Sequence, residues 1–197
     1  SYQTPAIYYY SHIAYSEGNY QTALIGFKKI SDSEMFKNIV PYYVAQIYHK
    51  QEKYEELIDY APKYFESISK KRRAEFAKLI GDAYYFEKKY GEAIPYLKEF
   101  KLGAKSTRIS NYQLAYCYYN TKDFQNAVNN YKRVSSRRDT LSQVAMYQLA
   151  DCFLQFDNRL EARIAFKAAS KLHFNPEIQE SALFNYAKLA YQIDGPY

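Results

Sequence analysis

Tyr20 returns as Tyr54, Tyr90 and Phe124, at spacings of 34, 36 and 34 residues, and a fifth turn without the aromatic follows 35 residues later at Arg159. Around each turn a small residue stands nine places back, usually an aromatic six back, and usually an alanine three ahead. A period near 34 constrains this chain more than its composition does. Each period is one supersecondary unit that cannot bury its apolar side alone, so neighbouring units must stack. Stacks of this kind present broad surfaces to partners more often than they enclose pockets.

Within a period the apolar residues recur at helical spacing. Ala77, Gly81 and Tyr84 fall at i, i+4 and i+7, with Lys78, Asp82 and Tyr85 forming the stripe beside them. After a turn over residues 87–89, the stripe Ala93, Leu97 and Phe100 starts a return helix. Gly81 is expected to face Ala93, and Ala45, Ala115 and Ala150 to allow the same close approach in their own repeats. The pattern predicts one continuous all-α domain over residues 1–197, with repeats of roughly 4–37, 38–73, 74–107, 108–141 and 142–175 and a partial one at 176–197. Thr4-Pro5 and Asn175-Pro176 each place a capping side chain before a proline in a first helical turn. Pro41 suits a first turn if its helix begins near Asn38, leaving Asp32 to Lys37 as connector. Pro62 lies inside a return helix and should kink or split it, whereas Pro95 lies nearer a helix start and should disturb less.

Tyrosine supplies 25 of the 197 residues and tryptophan none, which favours half-buried seams and binding faces over sealed cores because each ring keeps a hydroxyl. The net charge of +6 is modest, and its clusters, Lys70, Lys71, Arg72, Arg73 and then Arg137, Arg138, read as solvated connectors between repeats, with an acidic partner or anionic surface as the alternative. No apolar run reaches the length of a membrane span, and no signal-peptide pattern stands at the start. Cys117 and Cys152 occupy the same place in neighbouring repeats, about 8 to 10 Å apart by helix packing, too far for a disulfide. They are expected to be free thiols in the core.

Leu114, Ala115, Tyr118, Asp123-Phe124, Ala127, Tyr131 and Val134 resemble the signature of the tetratricopeptide repeat, a 34-residue helix-turn-helix unit. The same signature shows as Ile80, Gly81, Tyr84, Tyr90, Ala93 and Leu97; as Ser11, Gly18, Asn19, Tyr20, Ala23 and Phe27; and as Leu149, Ala150, Phe153, Ala162 and Phe166. The second repeat departs from it, with Glu52 at the turn glycine and Leu57 at the alanine, and the fifth has Arg159 for the aromatic. The resemblance implies a right-handed superhelical solenoid of about five antiparallel helix pairs plus one extra C-terminal helix. Tyr186, Ala187 and Ala190 match an opening helix, and Asp194, Gly195, Pro196 and Tyr197 look like a turn into a missing return helix. The expectation is therefore a piece of a longer repeat protein. Tyrosine-rich arrays of this kind are similar to bacterial envelope-associated members of the family, which places the chain in the periplasm or at the outer membrane, with the cytoplasm as alternative.

In a solenoid of paired helices the opening helices line the concave side, and their outward stripe is the natural ligand groove. By phase that stripe holds Tyr8, His12 and Tyr15; Tyr42, Gln46 and His49; Lys78, Asp82 and Tyr85; Tyr112, Tyr116 and Tyr119; Tyr147, Asp151 and Leu154; and Phe184, Lys188 and Tyr191. Tyrosine gives large, rigid contact area and one hydrogen bond at low entropic cost, as protein-recognition surfaces require. Some family members clamp a peptide's terminal carboxylate with Lys, Asn and Arg. The matching places here hold Tyr8, His12, Tyr43, Glu75 and Leu79, so that specificity is not expected.

His12, His49 and Asp82 fall on three neighbouring opening helices, whose backbones stand too far apart to close on one metal ion, and His173 sits near a connector. No phosphate-cradling loop, paired-histidine metal motif or nucleophile with its base is visible. The sequence therefore reads as a non-enzymatic scaffold without cofactor or metal, which binds a protein or peptide segment along the groove. RNA binding by a helical repeat is the alternative, opposed by the dispersal of the basic residues. A second alternative is a structural role in which exposed solenoid ends stack into oligomers.

Overall fold

The computed structural model describes residues 2–104 and 106–195. Among these, every regular element is helical: α1 (Gln3–Ser16), α2 (Tyr20–Ile30), α3 (Val40–Lys50), α4 (Tyr54–Tyr60), α5 (Lys70–Phe86), α6 (Tyr90–Gly103), α7 (Arg108–Asn120), α8 (Phe124–Val134), α9 (Thr140–Gln155), α10 (Arg159–Ser170) and α11 (Pro176–Asp194), with one 3-10 turn at Pro62–Tyr64. They gather into two compact units, Ser1–Lys105 with α1 to α6 and Ser106–Tyr197 with α7 to α11. In the first unit α2 packs on both α1 and α3, and α4 on both α3 and α5, while α6 pairs with α5. In the second, α8 lies against α7 and α9, and α10 against α9 and α11.

The repeating aromatic is the first residue of each return helix, and Arg159 holds the same place in α10. Two residues before it, at Gly18, Glu52, Lys88, Lys122 and Asp157, the backbone enters the left-handed region, with φ of 79°, 56°, 58°, 62° and 53°. That twist closes the opening helix by two crossed bonds: in the first repeat Gly18 N–H donates to Tyr15 O at 3.1 Å and Asn19 N–H to Ala14 O at 2.8 Å. The other four turns repeat the pair, as in Lys122 to Tyr119 at 3.0 Å and Asp123 to Tyr118 at 2.9 Å. This is the Schellman arrangement, which satisfies carbonyls that a helix end would orphan. The residue ending one helix then caps the next, since the side chains of Asn19, Asp123 and Asn158 accept from the backbone N–H three residues on.

Pro62 splits its return helix as expected: α4 stops at Tyr60 and the chain continues as the 3-10 turn. Pro95 is carried inside an unbroken α6. Two local expectations are corrected. Thr4 is not a cap, because α1 begins at Gln3 after Tyr2, which makes no side-chain capping bond; Asn175 does cap, accepting from Ile178 N–H at 3.1 Å. Lys70 to Arg73 are not connector but the first turn of α5. Four cations at a helix N-terminus oppose the helix dipole, and tertiary contacts compensate. Arg73 bonds Glu66 and Glu99 and stacks 4.3 Å over the Phe65 ring. A Cβ built on Gly81 would come 3.2 Å from Leu97 N, so Gly81 lets α5 approach α6 closely at Leu97.

Phe27, Ile47, Leu57, Phe76, Ile80 and Leu97 are fully buried in the first unit, and Tyr131, Val134, Phe166 and Gln143 in the second. Cys117 and Cys152 are free and buried, and burial, reinforced by Asp151, pushes the Cys152 thiol up to about 12. Helix α11 runs to Asp194 and Gly195 follows in extended conformation; Pro196 and Tyr197 of the expected turn lie outside the described residues. No described helix is long and apolar enough to cross a membrane.

Candidate binding face

The opening-helix stripe of the first unit is tied together by a relay of side-chain hydrogen bonds. Tyr15 Oη on α1 donates to Gln46 Oε1 on α3 at 3.1 Å, Gln46 Nε2 donates to Tyr42 Oη at 3.0 Å, and Tyr42 Oη donates to Glu75 Oε2 on α5 at 2.6 Å. Burial, then the bond to Glu75, raises the Tyr42 phenol above its ordinary value, so it stays a donor at neutral pH. Aromatic packing fills the space around the relay. Tyr8 stacks on Phe36 at 4.5 Å, and His12 meets the Tyr43 ring edge-on at 5.2 Å. Arg72 lies 5.4 Å over the Tyr42 ring, and Lys50 lies 5.4 Å over Tyr15. Tyr85 packs edge-on against Phe86 and Tyr90.

His49 and Asp82 come closer than backbone spacing suggested. His49 Nε2 lies 3.4 Å from Asp82 Oδ2, within ion-pair reach although off the line of a hydrogen bond, and Lys78 pairs with the other carboxylate oxygen. The reason is side-chain reach across one helix contact, which an argument from backbone distances ignores. Among the described residues no three His, Cys, Asp or Glu side chains gather as metal ligands. Burial alone would raise the Asp82 carboxyl, but His49 and Lys78 outweigh it and hold the group below the usual 3.8. Such a carboxylate contributes stability above its unfolded pKa and loses it as the pH falls through the folded one. Asp139 shifts the same way, through Arg108 and then Ser142. Urea stability is therefore expected to decline on acidification between about pH 4 and pH 2. The Asp82→Asn chain should show a shallower acid decline; an identical one would remove Asp82 from that account.

In the second unit Tyr119 on α7 donates to Asp151 on α9, and that bond, with burial, raises the Tyr119 phenol. Tyr112 stacks on Tyr116 at 6.2 Å and meets Tyr131 edge-on, and Tyr147 meets Phe166 at 5.3 Å. On α11, Phe184 is 69% exposed, as is Tyr191 at 73%, while Lys188 lines a shallow polar hollow with Leu154, Asp157 and Arg159.

The expected residues thus divide by burial. Tyr42 and Asp82 are buried and bonded across repeats, whereas Tyr8, His12, Tyr15, Gln46, His49, Lys78, Tyr85, Tyr112, Tyr116, Tyr119, Tyr147 and Asp151 are half-exposed. Sequence reasoning passed over Arg72 as a member of this face, and named Tyr43 and Glu75 only as occupants of the carboxylate-clamp places. Extending the α5 stripe back from Lys78 by three and six residues reaches Glu75 and Arg72, a step blocked by taking the basic run as connector.

Among curated proteins none matches the sequence. The tetratricopeptide-repeat family profile matches residues 110–139. Solved structures share the fold at low identity. YrrB, described as a tetratricopeptide protein with an unusual peptide-binding site, aligns at TM-score 0.72 and 15% identity over 90% of each chain. MamA (AMB-1) aligns at TM-score 0.69 and 17% identity over 89% of this chain and 96% of its own, and MamA (MSR-1) at 0.64 and 16% over 92% and 99%. The family match lies inside the fourth repeat, and along most of its length the chain shares the fold of these tetratricopeptide-repeat structures.

Proposed function

We propose that the chain is a non-catalytic protein-interaction scaffold that holds an extended peptide segment of a partner against the tyrosine-rich stripes of its opening helices. The relay from Tyr15 through Gln46 and Tyr42 to Glu75 carries this reading. It fixes donors and acceptors on three helices before any ligand arrives, which lowers the ordering cost of binding. Half-exposed rings beside it, such as Tyr8 and His12, offer apolar contact of the kind recognition surfaces use. In the second unit Tyr112, Tyr116 and Tyr147 supply the equivalent surface, with Asp151 holding Tyr119 in place. The unusual peptide-binding site of YrrB is compatible with such a use of this fold.

The test is selection of peptides from a displayed library by the purified chain, followed by affinity measurement on the selected sequences. Tyr116→Ala with Tyr119→Ala, and separately Gln46→Leu, should each weaken peptides that protect the corresponding unit from hydrogen exchange by about tenfold, or about 1.4 kcal/mol. Circular dichroism should show both variants folded. Peptides whose affinity is untouched by either variant would place binding away from these stripes.

A further inference from the structure

Charge on the opening-helix stripe of the first unit is not balanced in place. Its carboxylates are already engaged: Glu75 accepts from Tyr42 Oη at 2.6 Å, and Asp82 is held by Lys78 with His49 beside it. Two cations are not. Arg72, half-buried on the first turn of α5, lies 5.4 Å over the Tyr42 ring and 5.9 Å over the Tyr43 ring, and among the described residues no carboxylate comes within ion-pair reach of it. Its neighbour Arg73 differs, being held by Glu66 and Glu99. Lys50, exposed at the end of α3, lies 5.4 Å over both Tyr15 and Tyr20 and donates to Tyr20 Oη at 3.2 Å, again without a carboxylate among the described residues. Rings bridge the two cations: Tyr43 meets Tyr15 at 5.3 Å and His12 at 5.2 Å. A guanidinium stacked on rings keeps its in-plane N–H groups for a planar anion, two of them side by side on one carboxylate. Lys70 and Lys71, exposed on the same first turn of α5, add to the positive field.

We propose that Arg72 and Lys50 make this stripe selective for an acidic segment of the partner. One side-chain carboxylate sits bidentate on Arg72, a second meets Lys50, and an apolar side chain between them covers Tyr43 and Tyr15. This rests on the stripe reading and adds the ligand's chemistry to it. The spacing follows from α3. Tyr42 and Lys50 are eight residues apart on that helix, about 12 Å along its axis. An extended chain covers that in about four residues, at about 3.3 Å each. Alternate side chains of such a segment share a face, so the fitting pattern is acid, any, apolar, any, acid. Both charges come from side chains, and the segment need not end at the site.

The probes are two labelled peptides, acetylated and amidated, with the cores Glu-Ser-Leu-Ser-Glu and Gln-Ser-Leu-Ser-Gln. Fluorescence anisotropy against the full chain at about 50 mM salt should show the glutamate peptide binding at least tenfold more tightly, with hydrogen-exchange protection in α1, α3 and the start of α5. Arg72→Met keeps an unbranched stem over the rings, and circular dichroism should show it folded. It should weaken the glutamate peptide at least tenfold and leave the glutamine peptide unchanged. Lys50→Met should cost less, about threefold, because its ammonium is exposed. Equal affinity of the two peptides would overturn the acidic selectivity and leave the stripe reading standing. No binding of either up to about 1 mM would also overturn it, and the library-selected peptides then decide the stripe reading independently. A glutamate preference that survives Arg72→Met would place the anion elsewhere and sink the proposal. So would a glutamine peptide with a free terminal carboxyl that binds as tightly as the glutamate one, since the cations would then serve a chain end.

Discussion

Replacing Gln143 by leucine is expected to destabilise the protein by about 2–4 kcal/mol, because the cost is that of several orphaned buried groups and not of one bond. Gln143 on α9 is fully buried. Its Nε2 donates to Leu172 O at 2.6 Å, with Asn175 O at 3.2 Å and Ala169 O at 3.4 Å also in reach, and its Oε1 accepts from Asn175 N–H at 2.8 Å. One side chain thereby closes the end of α10 and the connector into α11. Leucine keeps the volume but leaves the Leu172 carbonyl and the Asn175 N–H without the amide that satisfied them. For a chain of this length the melting temperature should drop by roughly 5–15 °C. A drop of under about 2 °C would mean that water or a shifted connector replaces those bonds. Arg108, one repeat earlier, reaches Val134 O at 2.9 Å in the same manner, but it is also held by Asp139 and Ser142.

Glycine at the left-handed turn positions should act in the opposite direction. An L-residue in that region carries a steric cost of about 1–2 kcal/mol, offset in glycine's case by about 0.5–1 kcal/mol of extra unfolded-chain entropy. Glu52, Lys88 and Lys122 are exposed, so Glu52→Gly, Lys88→Gly and Lys122→Gly remove strain and little contact. Each should add about 0.5–1 kcal/mol, and the triple variant about 1.5–3 kcal/mol, since sites one repeat apart add nearly independently. Asp157 should gain less, because aspartate tolerates this region better and its carboxylate pairs with Arg159 at 2.9 Å. Gly18→Ala is the mirror control. Nothing lies within 4 Å of the added Cβ, so any loss reports the backbone angle alone. Chemical denaturation of the set measures all of this; a triple variant no more stable than the parent would show that these turns carry no strain.

The parts of the fold legible in the sequence are those set by local geometry. Tyr20, Tyr54, Tyr90 and Phe124 each begin a return helix because the left-handed turn fixes the first residue of the next helix two positions on. Pro62 breaks its helix through its own ring and missing N–H. What escaped depends on residues far along the chain. The start of α5 at Lys70 contradicts dipole reasoning because Glu66, Glu99 and Phe65 receive Arg73, and no local pattern announces that. The candidate face was legible as a stripe by phase, but not as a network. That Tyr42 would be buried and bonded to Glu75, or that His49 would reach Asp82, follows from how neighbouring helices pack, which periodicity does not specify.

The five turns have a kinetic consequence as well. Each is closed by bonds spanning three and five residues, and each return helix packs directly on the opening helix it follows. Forming a hairpin therefore needs only a very short loop to close, at little entropic cost, and most native contacts join segments near in sequence. Such a chain assembles by many small local searches instead of one long-range one, and any hairpin can serve as the seed on which its neighbour condenses.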